Sequence, residues 1–411
     1  MSTDIIQHGD ELAKRNYPDW EIRELHNVTT PGLNILARKG NARLGGSGFF
    51  YPVNTQGNHG YGHIRRGDAI PGGRQTKNRQ AVIMPTILAG QVQLDGLTMA
   101  INSGDPYSFA DIYDQNITSL LKEMMRFKNQ VLFKDGSGVM ATFVTPVDDS
   151  IGPHTFDDVT GIKEGQVYDV IDATATTRHV LDAKAVAVDW VNNTITFDKV
   201  IPAAVDANDR LFIADSQADS GIISAKDPVG LAGAIGSTGE YNGISRDGEA
   251  NWRSTAYTAS KYVDEDVLGR IRVRIHQDTG IGYQEMASDF AHVLHPLQLE
   301  VLFKMAIPRI RYTAGQGFEL GHDGSFTFGG MKFVTDYHCP TTTMYTGDWS
   351  QFVTLYTPNG ELHIDSEYNG AALKWVAGYD QGVVIVKSYY NFACLNPVRF
   401  AKTSSITAPS R

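Results

Sequence analysis

The 411-residue sequence predicts an α+β chain of two or three domains, or of one domain with large insertions. Three observations point there. A glycine-punctuated, strand-like stretch covers residues 46–90, an amphipathic helical stretch covers 108–133, and the hydrophobic period switches to two between Gly161 and Asp215. Hydrophobic residues form 42% and charged residues 20% of the chain, which supports a buried core and excludes a disordered polymer. With only two cysteines, Cys339 and Cys394, a disulfide-dense scaffold and a thiolate-rich metal site are excluded.

Residues 1–45 read as an arm, because short apolar pieces such as Leu33–Ala37 never sustain a face. The N-terminus lacks the pattern of a signal peptide, and no run approaches eighteen apolar residues, so a cytoplasmic protein without membrane contact is expected. Residues 46–90 read as an extended β-hairpin. Strands Phe49–Val53 and Gln80–Leu88, the latter with Val82, Met84, Thr86 and Leu88 on one alternation, frame a polar connector of about 25 residues. A connector that long without packing of its own is either mobile or laid across a neighbouring molecule. Its Arg65, Arg66, Arg74, Lys77 and Arg79 suit an acidic partner and are the candidate assembly contacts.

A region 91–150 contains the long helix over 108–133, capped by Ser108 or Asp111, with Ile117, Leu120, Leu121, Met124 and Val131 on one stripe. Lys122, Glu123, Arg126 and Lys128 lie mostly off it, and Asp135-Gly136-Ser137-Gly138 stops the helix. Residues 151–220 read as an inserted acidic β subdomain. Its strands are Gln166–Ile171, Ala185–Val191, Thr194–Phe197 and Arg210–Ile213, with Asn192-Asn193 as a turn. Residues 221–380 form the largest mixed block, with helical character over Val263–Val273 and Tyr283–Ala306, the latter interrupted near Pro296. Residues 381–411 hold a strong β run over Gly382–Ala393.

Charge is split along the chain. The formal net charge is -10, yet Arg38–Arg79 holds eight basic residues and one acidic one, whereas Thr145–Ser220 holds five basic and fourteen acidic. Opposed patches of this kind either steer like subunits together or are unrelated solvated faces, and charge alone does not choose. The acidic total argues against wrapping nucleic acid over the whole surface.

No motif for catalysis stands out. The phosphate-loop pattern and the Gly-x-Ser-x-Gly elbow are absent, and Gly243-Ile244-Ser245-Arg246-Asp247-Gly248 misses the latter by one residue. His338-Cys339-Pro340 lacks the second cysteine pair of a deaminase zinc site. The alternative function is a metal-assisted hydrolase drawing on His292, His295, His322 with Asp323, or His363 with Asp365, though none has strong zinc spacing. A β-rich adhesin or decoration protein is a further alternative, opposed by the long helix and the helical stretches after Val263.

The order of parts is itself a signal. Gly60-Tyr61-Gly62-His63-Ile64-Arg65-Arg66-Gly67-Asp68-Ala69-Ile70-Pro71, then Ser108–Phe133, then Phe328-Gly329-Gly330 with Asp336 and Pro340, then Tyr390-Asn391-Phe392 through Asn396-Pro397-Val398-Arg399-Phe400 follow one another as in a known family. The chain resembles the major capsid proteins of tailed bacteriophages, of the Hong Kong 97 type, over about residues 30–405. The resemblance implies an N-terminal arm, an extended loop over 46–90, a peripheral domain with a spine helix, an axial domain within 221–380, and a last strand returning to the peripheral domain. The β-rich insertion departs from the minimal pattern.

It further implies hexamers and pentamers of the chain itself tiling an icosahedral shell, assembled in the host cytoplasm around double-stranded DNA that is held without sequence-specific contacts. A separate scaffolding protein, a portal and in some cases a decoration protein would be its partners. No catalytic, cofactor-binding or metal-binding residue is expected. Some members weld subunits through a lysine–asparagine bond. Lys77 lies in the matching region, but no partner asparagine or catalytic glutamate is identifiable, so cross-linking is not expected.

Overall fold

A computed structural model describes residues 30–39, 44–45, 48–66, 69–96, 112–174, 177–214, 227–306, 327–357, 362–364, 373–376 and 378–408. Residues 1–29 of the expected arm, and the expected helix caps Ser108 and Asp111, lie outside them.

Helix α1 (Pro31–Ile35) opens on a proline, which has no N–H to leave unpaired at a helix start. It leads into β1 (Ala37–Lys39), β2 (Leu44–Gly45) and a long hairpin of β3 (Gly48–Gln56) and β4 (Lys77–Ile83). The hairpin strand expected over Gln80–Leu88 is two strands. β4 ends before Met84-Pro85, and β5 (Thr86–Asp95) leaves for another sheet. The buried side of β4 is Ala81 and Ile83, while Met84 is exposed.

The spine helix α2 (Ile112–Leu132) follows. Ile117, Met124 and Val131 are buried as the stripe requires. Lys128, expected off the stripe, is also buried, as are Asn129 and Gln130. The ammonium of Lys128 lies 4.2 Å from the centre of the Tyr390 ring, a cation–π contact that lets the charge sit inside.

The insertion is a small β-barrel. β6 (Ala141–Thr142), β7 (His154–Thr155), β8 (Val167–Ile171), β9 (Arg178–Asp189), β10 (Thr194–Phe197) and β11 (Arg210–Ile213) pair in the order β6-β11-β8-β9-β10-β7. A Phe143–Phe156 bridge joins the two ends, so no edge is left open. Phe143, Phe156, Tyr168, Ile195, Phe197 and Leu211 fill the interior. The barrel begins at Met140, earlier than the 151–220 expected, because β6 and β7 have two residues each and show no period.

The remaining block contains α3 (Leu231–Ala234), β12 (Glu240–Tyr241), β13 (Ile244–Ser245), β14 (Thr255–Thr258) and α4 (Glu265–Thr279). Asp264 caps α4 by accepting from Val267 N–H at 2.8 Å. Beyond α5 (Tyr283–Asp289), the expected helix over Tyr283–Ala306 is interrupted by β15 (Phe290–Leu294) before α6 (Pro296–Ala306). All five residues of β15 are buried, and a fully buried strand shows no alternation by which to distinguish it from a helix.

The chain continues through β16 (Thr327–Phe328), β17 (Met331–Thr335), β18 (Met344–Asp348), β19 (Phe352–Tyr356), β20 (His363–Ile364), β21 (Leu373–Trp375), β22 (Gln381–Cys394) and β23 (Phe400–Ser404). Two sheets organise these strands. The spine sheet runs β1-β19-β22-β20, with β5 and β21 also on β22. β5 pairs with β22 over ten residues, from Thr86–Tyr390 to Asp95–Gln381. The second sheet runs β14-β23-β18-β15-β17-β16. The closing segment 381–411 therefore divides. β22 joins the spine sheet, but β23 crosses to the second sheet rather than staying with the first.

One buried polar cluster ties these parts together. Asp336 Oδ2 accepts from Gly32 N–H at 2.8 Å and from Asn129 Nδ2 at 2.7 Å, and its Oδ1 accepts from His338 N–H at 2.9 Å. Asn129 Oδ1 accepts from Leu33 N–H at 3.0 Å. Two otherwise unpaired N–H groups at the start of α1 are thus satisfied by the spine helix and the second sheet. A Cβ on Gly32 would stand 3.0 Å from Asn129 Oδ1, Asp336 Oδ2 and the Phe133 ring, so this close approach needs glycine. Burial pushes the Asp336 carboxyl up, but the hydrogen bonds from His338, Asn129 and the backbone outweigh it and hold the group below its ordinary range.

Replacing Asn129 by alanine leaves Leu33 N–H unpaired and removes one partner of a buried carboxylate. The expected loss is about 2–4 kcal/mol in urea unfolding of the unassembled subunit. A loss under about 1 kcal/mol would show that the cluster is dispensable.

Candidate assembly interface

The β3–β4 hairpin has a fixed root and an open tip. At the root, Phe49 and Ile83 pack with Val353, Leu355 and Ala393 of the spine sheet. Tyr51 Oη donates to Cys394 O at 3.2 Å, Val82 N–H donates to Asn242 O at 3.0 Å, and Asn251 Nδ2 donates to Thr55 O at 2.9 Å. Segment 241–252 therefore braces the hairpin from the side.

The five basic candidates do not share one fate. Lys77 Nζ lies 2.5 Å and Arg79 Nε 3.3 Å from Glu249 Oε1 of the same chain, so these two hold the hairpin to its brace. Hydrogen bonding from Lys77, opposed by burial and helped by Thr55 and Arg79, holds the Glu249 carboxyl below its ordinary range. Arg65, Arg66 and Arg74 are exposed on the tip. Nothing in the sequence marks Glu249, because it stands far from the hairpin along the chain.

Sequence reading also missed the tip's apolar content. Tyr61 and Ile70 are 78% and 82% exposed, and Ile64 is 51% exposed. Covering side chains of this size stabilises by on the order of 1.5–3 kcal/mol each. The tip thus combines apolar anchors with cations, the composition of a protein-binding surface.

A cleft of about 740 Å³ lies between the spine helix, β5 and the barrel. Leu88, Leu120, Met124 and Phe127 line its apolar part, and Lys163 and Asp227 its polar part. Lys163 Nζ bonds to Glu123 Oε2 and so fastens the barrel to the spine helix. Burial and the nearby Asp135, opposed by Lys134, push the Asp227 carboxyl up to about 6.

Among the described residues, His292, His295 and His363 do not form a group able to hold a metal ion. His292 is wholly buried in β15, with Nδ1 2.8 Å from Thr346 Oγ1 and its ring stacked on Phe333. Burial pushes it down to about 3. His295 lies just past the end of this strand, where Nδ1 accepts from Leu297 N–H at 3.1 Å. His363 sits in β20 against Tyr389, and His322, Asp323 and Asp365 lie outside the described residues. Among the described residues, no three His, Cys, Asp or Glu side chains form a group able to hold a metal ion, and no helix is long and apolar enough to cross a membrane.

No protein-family model and no curated protein matches the chain. Solved structures do. A chain of the cyanophage A-1(L) capsid asymmetric unit is 12% identical and superimposes with a TM-score of 0.57, covering 96% of this chain and 97% of that one. A chain from the capsid of a native GTA particle is 9% identical at a TM-score of 0.55, covering 99% and 100%. Its counterpart from the empty GTA particle is 9% identical at 0.51, covering 93% and 99%. The shared architecture is the Hong Kong 97 type fold.

Two outcomes follow from this geometry. Glu249→Ala should speed tryptic cleavage after Lys77 and Arg79 several-fold, because the hairpin loses its brace; an unchanged rate would place the anchoring elsewhere. The raised Asp227 carboxyl binds its proton more tightly in the folded than in the unfolded chain, so its contribution favours folding at low pH and is lost as pH rises through about 6. Asp227→Asn should therefore raise the urea midpoint at pH 8 relative to the unsubstituted protein. It should leave the midpoint at pH 4 nearly unchanged.

Proposed function

We propose that the chain is the major structural subunit of a tailed-phage icosahedral capsid, a non-enzymatic shell protein that assembles with copies of itself. The observation that carries this reading is the end-to-end match of the whole chain, hairpin and spine helix included, to chains of phage-type capsids. The exposed apolar and basic tip agrees with it, since an extended hairpin of this kind needs a second molecule to cover it.

In this reading, hexamers and pentamers enclose double-stranded DNA in the virion after assembly in the host cytoplasm. The lining makes no sequence-specific contact, and the net acidity of the subunit limits trapping of the packaged polymer. A scaffolding protein and a portal are the expected partners, with a decoration protein in some shells of this type. Arg65, Arg66 and Arg74 are the residues proposed to contact a neighbour directly, with Lys77 and Arg79 acting through the brace at Glu249. The metal-hydrolase alternative has lost its constellation with His292 in the core, and the spine helix opposes a β-rich adhesin.

Arg65→Glu combined with Arg66→Glu should leave the thermal unfolding of the subunit unchanged while cutting the assembled fraction about tenfold at moderate salt, as read by sedimentation velocity. Normal assembly of this variant would overturn the role of the tip. Failure of the unsubstituted chain to assemble, even when co-expressed with a scaffolding partner, would overturn the shell reading.

A further inference from the structure

The barrel leaves one face in water that its own fold does not use. Segment 147–151 runs antiparallel to 201–205, held by Val147 N–H to Val205 O at 3.1 Å and by the Ser150–Ile201 pairing. Ile151 and Val200 stand out of this edge, 47% and 55% exposed. Lys199 Nζ donates to Leu181 O at 2.8 Å, which brings Leu181, 49% exposed, alongside. Large apolar side chains exposed together on a small barrel mark a contact surface.

The surrounding charge is mostly negative. Asp148, Asp149 and Asp206 are exposed on the same edge, and Asp182 and Asp198 are exposed beside Leu181. Lys184 and Lys199 are the exposed bases there. The hairpin tip has the complementary make-up, with Tyr61, Ile64 and Ile70 among Arg65, Arg66 and Arg74. Apolar contact supplies affinity, and opposed charge supplies orientation and approach.

We infer that the hairpin tip of one copy docks on this acidic barrel face of a second copy. The inference rests on the shell reading above and adds a specific seat for the tip: the insertion fastens neighbours together. Asp148 and Asp206 are the charges to reverse, because among the described residues neither carboxylate takes part in the barrel's own hydrogen bonds.

The test is a charge exchange. Asp148→Lys with Asp206→Lys, and separately Arg65→Glu with Arg66→Glu, should each lower the assembled fraction about tenfold at moderate salt. The two pairs combined in one chain should restore it to within about threefold of the original, because the ion pairs re-form with opposite sign. Each variant is first shown to unfold at the original temperature. A second measurement reads proximity directly: assembled Ile64→Cys/Val200→Cys protein should form intermolecular disulfides on oxidation, whereas either single variant should not form this tip–barrel link. Cys339 and Cys394 are buried and do not compete. Shells that form normally but show additive charge effects and no tip–barrel disulfide would overturn the seat while leaving the shell reading intact. Absence of assembly in the unsubstituted chain would overturn both.

Discussion

The buried carboxylate of Asp336 is the constraint on which the rest of the structure depends. It takes hydrogen bonds from the start of α1, from the spine helix and from the turn after β17. A charge inside a protein is tolerated only when its lone pairs are filled. Three segments distant in sequence must therefore arrive together, with Gly32 at the point of closest approach. The node fixes where the arm meets the spine helix and how the second sheet sits against the first. Arg126 adds to it from the helix by donating to Tyr337 Oη at 2.6 Å.

Two appendages grow from this frame by different means. The barrel closes on itself, with its own aromatic interior, and is fastened to the spine helix through Lys163 and Glu123. The hairpin is braced along its root, by Glu249 and the strip 241–252. Its tip carries apolar side chains that a monomer leaves in water. In the proposed shell, both kinds of appendage would have a use, a rigid surface to offer and a long lever to reach with. Their opposed charges, visible as a split along the chain, fit the same purpose.

Much of this was legible in the residues. The spine helix was read from the stripe of Ile117, Met124 and Val131, and β10 and β11 were bounded correctly from their alternation. β15 was read as helix because burial on both faces erases the period. β6 and β7 were too short to show one, which moved the start of the barrel. Asn129 and Glu249 show no local pattern, because each acts through a partner more than ninety residues away, and Asp336, named only within the family-like segment, meets Gly32 and Asn129 across still longer separations. Local pattern groups the five basic residues of the hairpin by charge and gives no sign that Lys77 and Arg79 pair with Glu249.

The most direct test of the account is electron microscopy of the purified chain at low and moderate salt, alone and after co-expression with a scaffolding partner. Closed shells, tubes, or rings of five and six are expected, with the hairpin tip covered by a neighbouring copy. Uniform small particles under every condition, with the tip still open to solvent, would contradict it.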